Sequence, residues 1–582
     1  MSAPIPANYA TSPAVSGGAT TSRRALCEAR LASLENERES WLPHWRTLAD
    51  YILPRRSQYL SKKRQWNQGG QFNTKIVDST ATLAARVLTS GMMSGLTSPA
   101  RPWFRLTTPD PDMKDRPEVR DWLYLVESRM YETFAKSNLY TTLPVLYTEL
   151  GVFGTAAMLV EGDQENILRC RPYTIGEYVL SQNDKREVDT LMSTAGMTST
   201  QLVQQFGEEA VPESIVAQHK AGTGQQTWHE VVHVIEPNEE MGAGLDYGNQ
   251  NMPWKSLYFL RGDSTKEYLL ESGFQTFPIL APRWQIYGSD IYGSSCPGME
   301  AIGDIKALQL EQKRKAEAID KMVKPPMNAP SSLMNQGASI LPGDINYHDM
   351  SAGGMALSPT YEMNWDIRPL IQDIGDNQAR ISRGFHEDLF MMLTHSDRRQ
   401  ITAREINERH EEKLLMLGPV LERLIDDLLD PLIDRAFHLM VNHPTQMIPP
   451  APESLQGQEL KVEYISILAQ AQRAVGVQGI ERMWGTASQI AQVVPQVLDK
   501  MDADQSIDEL ADMYGVPPTI VRSDKEVEEI REQRAQAQAQ AQQMEAQRAQ
   551  AETAKIMSET ELSGNTAATA AADAMQVTGA GP

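Results

Sequence analysis

His229-Glu230-Val231-Val232-His233 is the segment whose residue types and spacing most directly suggest a reaction. Two imidazoles four residues apart, with a carboxylate beside the first, form the HExxH pattern of zinc hydrolases: both histidines bind the metal and the glutamate activates water. That chemistry requires a helix, where positions i and i+4 share one face and can reach one ion. Here the neighbours predict a strand, because Val231, Val232, Val234 and Ile235 are β-branched and Pro237 ends the run. On a strand the same two positions lie about 13 Å apart, too far for one zinc. No further ligand follows at a zincin spacing, so the zinc-hydrolase alternative is set aside and no metal site is expected.

Other chemical signatures are absent or weak. The chain contains no GxxxxGK[ST] phosphate loop, no GxSxG elbow and no kinase set. Cys27, Cys170 and Cys296 are far apart in sequence, which excludes a cysteine zinc site and fits a reducing compartment. Asp426-Asp427 and Lys313-Arg314-Lys315 read as solvated faces of helices, and Arg261-Gly262-Asp263 as a turn. Asp397-Arg398-Arg399 lies in a short polar break between two long helices, either a loop reaching into open space or a plain connection. Arg55, Arg56, Lys62, Lys63 and Arg64 are interleaved with Tyr59 and Trp66. Such a mixture can track a nucleic-acid backbone and stack bases, but a solvated loop or a rim docking on an acidic neighbour is the preferred reading. No catalytic residue and no cofactor are assigned.

The elements around these residues follow from periodicity. Residues 2–22 carry no charge and read as a mobile arm. Leu26, Leu31, Leu34, Trp41, Trp45 and Leu48 predict helix from Arg23 to about Leu53, broken at Pro43, and a second helix runs from Ile76 to about Gly91–Gly95. Trp103, Phe104 and Leu106 begin an extended run. Residues 117–150 read as helix, with Trp122, Leu125, Val126, Met130 and Phe134 on one face. From 152 to 290 short runs (Val152–Val160, Tyr178–Leu180, Trp228–Ile235, Trp254–Leu260, Tyr268–Leu270) predict a sheet-rich part with a helical insert near 198–220. Helix then returns over Pro297–Val323. A Pro/Gly/Asn-rich stretch covers 324–362, and one apolar stripe from Ile367 to Leu389 predicts a single helix of about six turns. Thr402 and Glu405 form a capping box, and residues 420–440 are strongly amphipathic. The Ala/Gln-rich end beyond 525 has no apolar seam and suits either a helix stabilised by assembly or a loose tail, with 562–582 expected to be loose.

Composition bounds the function. Among 582 residues, 54 Lys and Arg stand against 76 Asp and Glu, a net charge of −22 that argues against a tight nucleic-acid binder. The first 110 residues are nonetheless basic, at +7, so the rest carries −29. Hydrophobic residues make up 41%, enough for several cores. The first residues show no secretory pattern and the longest apolar patch is too short for a bilayer, so a soluble protein made in the cytoplasm is expected.

The stretch NTKIVDSTATLAARVLTSGMMSGLTSPARPWFRL (73–106) resembles the head-to-tail connecting (portal) proteins of short-tailed bacteriophages. The likeness continues through YGSSCPGMEAIGDIKALQ (287–309), the PP…LPGDINY segment (325–347), TAREINERHEEKLLMLGPV (402–420), LIDRAFHLM (432–440) and PPAPESLQGQELKVEYISILAQAQR (449–473). The resemblance implies a mixed α+β, mainly α subunit of a twelve-membered ring at one capsid vertex of the virion, made in the host cytoplasm. Double-stranded DNA would enter and leave through that ring. It further implies a wing (23–296), stem helices at 297–323 and 363–392, a clip (324–362) between them, and a tunnel loop (393–401) presenting Arg398 and Arg399 to DNA. Wing helices (402–454), a crown (455–524) and the tail (525–582) would follow. Terminase and then a tail adaptor would dock on the clip, through Pro325, Pro326, Asn328, Pro342, Gly343, Asp344 and Tyr347, and the major capsid or scaffold protein would surround the ring. A separate motor would hydrolyse ATP. An internal scaffold or ejection protein is the remaining alternative.

Overall fold

The computed structural model describes residues 22–61, 66–110, 113, 116–239, 251–324, 327–328, 358–359, 366–394, 418–444, 447–455, 460–465, 480, 482–491, 496, 500–514, 521–522 and 524–576. It is mixed helix and sheet, mainly helical, and divides into two units: Met1–Pro109 with Asp121–Val475, and Asp110–Arg120 with Gly476–Pro582.

In the first unit, α1 (Arg23–Glu39) is capped by the Ser22 hydroxyl, and α2 (Leu42–Tyr51) starts with Pro43 in its first turn, where a missing N–H costs nothing. α3 (Thr80–Leu96) begins four residues later than the periodicity of Ile76 predicts; the N–H groups of Val77 and Asp78 are given to the Gln309 side chain and that of Thr80 to Asp78 Oδ1. β1 (Phe104–Thr107) follows as expected. The stretch read as one helix from 117 to 150 is two, α4 (Pro117–Lys136) and α5 (Leu139–Phe153). Asn138 forms the corner, its side-chain amide accepting from the Cys170 N–H and donating to the Cys170 carbonyl. Val152 and Phe153 therefore end a helix, and the strand placed there starts only at Ala157.

Two antiparallel sheets come next. β2 (Ala157–Asp163), β3 (Ile167–Tyr173) and the short β9 (Ile279–Leu280) make one, in the order β3-β2-β9. The other runs in sequence order: β4 (Tyr178–Gln182), β5 (Val188–Thr198), β6 (Trp228–Pro237), β7 (Trp254–Leu260) and β8 (Leu270–Phe274). Period-two alternation gives this sheet two apolar faces. Val232, Val234, Val179, Met192, Leu257 and Phe259 pack on Cys27, Leu31 and Leu34 of α1. Val231, Tyr258 and Leu260 pack on Leu202, Val211 and Ile215 of the insert, formed by α6 (Ser199–Phe206) and α7 (Glu213–Lys220). The sequence reading placed β6 and β7 well, started β8 too early, and missed β3 and β5. Leu26, Leu83 and Leu125, assigned to apolar stripes, are exposed, since each lies at the edge of its stripe.

α8 (Pro297–Val323) matches its predicted limits. The stripe read as one helix is α9 (Arg368–Gly384) followed by α10 (Glu387–Thr394), separated at Phe385–His386, where His386 has a positive φ of 55°. Phe385 is fully buried at the corner, so the apolar register survives the break. The two-residue strands β10 (Met327–Asn328) and β11 (Ser358–Pro359) pair at the far end of these helices. Residues 418–424 are helical, Ile425–Leu429 form a π turn, and α11 (Asp430–Val441) continues it. β12 (Lys461–Tyr464) pairs with β1. Thr402 and Glu405 lie outside the described residues.

The second unit contains α12 (Ala503–Tyr514) and α13 (Asp524–Gln576), tied by Arg531, which donates to both carboxylate oxygens of Asp504 at 2.6 and 2.7 Å. The expectation of a loose end from 562 is corrected: α13 continues to Gln576, in keeping with the alanine content of 567–574.

Candidate functional site

Two neighbouring helices of the first unit, α8 and α9, are positioned by one carboxylate. Asp78 stands before α3, and its Oδ1 accepts from the backbone N–H and the hydroxyl of Thr80, capping that helix. Its Oδ2 accepts from Gln312 Nε2 of α8 at 2.8 Å and Gln378 Nε2 of α9 at 2.9 Å. Gln309, buried one turn earlier on α8, completes the joint. Its Oε1 accepts from the N–H groups of Val77 and Asp78, at 2.6 and 2.8 Å, and its Nε2 donates to the Asp78 carbonyl. Burial acts to raise the Asp78 pKa, but the hydrogen bonds from Thr80, Gln378 and Gln312 outweigh it and hold the carboxyl below its ordinary value.

Below this joint the helix pair is well packed. Ile305 and Leu308 of α8 and Ile381 of α9 are buried; at the level of the joint Asn377 donates to both oxygens of Glu311 at 2.8 and 2.7 Å, and Ile374, one turn above it, is still buried. Arg380 and Asp304 pair at 3.4 Å on the exposed side. Above it the pair is bare: Ile319, Met322, Val323 and Ile371 are all exposed, Val323 by 71%. Lys313 and Arg314 are solvated, as their sequence context predicts. At the lower end α10 is held on α3 by small residues. Phe390 lies against Gly91, where an added methyl would overlap its ring, and Gly151 of α5 receives Leu88 of α3 in the same manner.

The residues singled out by the sequence fall in different places. Arg398 and Arg399 lie outside the described residues, as do Pro325, Pro326, Pro342, Gly343, Asp344 and Tyr347; Asn328 is exposed in β10, opposite Ser358. The basic stretch is partly built into the fold. Arg56 Nε lies 2.7 Å from Oε1 of the fully buried Glu149, and Arg55 sits over the Phe72 ring. Trp66 covers Gly196 of β5, so it packs on a strand and is no free stacking platform. Lys62, Lys63 and Arg64 lie outside the described residues. Asp427, read as solvated, faces the buried Arg283 at 3.4 Å, because the π turn rotates it inward. The sequence reading missed Asp78, Gln309, Gln312 and Gln378; only the Asp-Ser-Thr start of a helix marked one of them.

His229, Glu230 and His233 lie on strand β6, as the neighbouring residues predict. His233 is fully buried, stacked on Tyr258 with ring centroids 3.9 Å apart and 2.9 Å from Ser256 Oγ. His229 instead meets Ser199 Oγ at 2.8 Å. That distance suits a base and a nucleophile, but Ser199 is fully buried and its hydroxyl donates to Gln218. Among the described residues no group of three or more metal-ligating side chains is placed around one point, and no helix is long and apolar enough to cross a membrane.

The family described as Bacteriophage head to tail connecting protein matches residues 24–521. The chain belongs to that family. It is 47% identical over 545 residues to a portal protein of Salmonella phage epsilon15, covering 94% of this chain and 97% of that one. It is 42% identical over 520 residues to a probable portal protein of Bordetella phage BPP-1, covering 89% and 92%. Two solved gene transfer agent structures align more loosely, both at 11% identity over 75% of this chain. They are the neck of an empty particle (89% of that chain, TM-score 0.32) and the virion of a native particle (99%, TM-score 0.29).

Two outcomes are expected. Asp78→Ala leaves the Gln312 and Gln378 amides without their shared acceptor and should cost about 2–3 kcal/mol. It should also raise hydrogen exchange in residues 305–312 and 374–381 well above wild type; unchanged exchange there would show that packing alone holds the pair. His233, held down to about 3 by burial and then by nearby Arg171, is neutral in the fold. A depressed folded pKa means that its contribution is present above the ordinary value and is lost as pH falls from about 6.5 toward 3. Urea midpoints for His233→Gln should therefore fall less between pH 7 and pH 4.5 than those of wild type.

Proposed function

We propose that this chain is the repeating subunit of a portal: a closed ring at one vertex of a phage capsid through which double-stranded DNA is packaged and later released. Membership of the connector family, with portal relatives matched almost end to end, carries the reading. In it α8 and residues 363–392, which take in α9 and most of α10, are the stem, 324–362 the clip, 393–401 the tunnel loop, 402–454 the return to the wing, 455–524 the crown and 525–582 the tail. The ring has twelve copies, and terminase, then the tail adaptor, dock at the clip. The chain performs no catalysis of its own, and hydrolysis of ATP belongs to the motor.

Two physical features support this. The exposed apolar side chains of α8 and α9 beyond Gln312 are costly in a lone subunit, at about 25 cal/mol per Å2 of apolar surface, and a neighbouring copy would cover them. The net charge of −22 gives a wall that repels phosphate, so DNA slides, and only a few cations such as Arg398 and Arg399 touch it.

Electron microscopy of the purified chain should show rings with a central channel. A persistent monomer, or solid particles without a hole, would overturn the portal reading. Replacing Arg398 and Arg399 together with Ala should leave rings intact while altering packaging or genome retention; normal packaging by normal rings would remove both from the DNA path.

A further inference from the structure

The sheet carries a pocket that the portal reading does not use. It opens at the Trp228 end of β6, has a volume of about 280 Å3, and lies between that strand, the end of β7 and the start of α7. Ile215 and Leu260 form an apolar floor, both nearly fully buried. Trp228 lines the pocket and remains 37% exposed.

Its charges do not cancel. Arg261, at the rim, donates to both oxygens of Glu35 on α1, at 3.0 and 2.9 Å, while Glu230 lies only at the 4.0 Å edge of pairing distance from it. Arg24 of α1, whose charge acts on Asp263, pairs with Glu28 at 3.0 Å and donates from Nη1 to the Lys266 carbonyl and from Nη2 to the Leu260 carbonyl. Each guanidinium thus has a closer carboxylate on α1, Glu28 or Glu35, so with Glu230 and Asp263, which line the pocket, four carboxylates stand around two guanidiniums. Asp263 accepts from the N–H and hydroxyl of Thr265, which hold its carboxyl below the ordinary value and keep it ionised. His229 adds no compensating charge, since burial lowers its pKa. The positive end of the α7 dipole is answered by Glu213 in its first turn.

We infer that this pocket receives one basic side chain, lysine or arginine, presented by another polypeptide. An indole face attracts a cation through its ring quadrupole, two carboxylates accept its N–H groups, and the apolar floor suits the methylene stem. The volume fits a single long side chain, and Trp228, Glu230 and Arg261 around it are each more than a third exposed.

The probes are fluorescein-labelled peptides Gly-Ser-Gly-X-Gly-Ser-Gly, with X as arginine, lysine, citrulline or glutamate, titrated onto the full chain by anisotropy. The arginine or lysine peptide should saturate, while the citrulline and glutamate peptides should not. Glu230→Gln and Asp263→Asn should each weaken binding by about threefold or more, and Trp228→Phe by less. Melting temperatures equal to wild type would show that the variants are folded. No saturation at millimolar peptide, equal binding of citrulline, or preference for glutamate overturns the proposal. So does unchanged binding by the Glu230→Gln/Asp263→Asn double variant. Full competition by spermidine at equal affinity would assign the pocket to a free polyamine and overturn the polypeptide source. None of these readouts depends on ring formation, so the portal reading stands or falls separately.

Discussion

One carboxylate holds three helices. Asp78 caps α3 with one oxygen and receives α8 and α9 with the other, while Gln309 closes the joint from the opposite side. The arrangement is economical because an aspartate has room for about four hydrogen bonds, and those the capping Thr80 leaves free can be shared between two facing glutamines. It is also demanding. Burying an amide without a partner costs more than the bond itself returns, so the glutamines and the aspartate depend on one another. The helices gain a common origin at this point, and everything beyond Gln312 extends from it.

The same logic of paired commitments explains the sheet. β6 has apolar residues on both faces, so α1 on one side and the α6–α7 insert on the other are both required to keep it dry. The histidines of HExxH are absorbed by this packing, one onto Tyr258 and the other onto Ser199. A pattern that carries chemistry on a helix becomes, on a strand, two separate side chains with separate hydrogen-bond partners. The carboxylate between them, Glu230, remains near the surface, lining the pocket at the Trp228 end of the strand 4.0 Å from Arg261.

Elements with strong local signals were legible. α8 begins at a proline and runs as a continuous amphipathic helix, and β7 is a run of aromatic residues and leucines bounded by turn residues. β5 was not legible, because Val188–Thr198 mixes its threonines with Asp, Ser, Ala and Gly, whose strand preference is weak; pairing with β4 and β6 on both sides and Trp66 on Gly196 hold it in place. The corner at Phe385–His386 was hidden for a different reason. The apolar stripe continues across it, and the turn there sets Phe390 against Gly91. The basic stretch misled in part: Arg56 has the composition of a solvated cation but occupies a buried pairing with Glu149, which no local pattern announces.

What the residues alone determined is the class of protein. A family likeness in several motifs, in order along the chain, specifies a connector subunit, because such motifs are legible without coordinates; composition and periodicity add only that the chain is acidic and rich in helix. The tertiary structure decided which polar side chains meet. Asp78 and Gln378 are 300 residues apart, and Glu35 and Arg261 are 226 apart. A hydrogen bond depends on tenths of an ångström, whereas periodicity reports only which face of an element is apolar. The sequence therefore reveals that the helices and the sheet exist, and only the fold reveals the carboxylate that joins the helices and the two carboxylates left facing an open pocket.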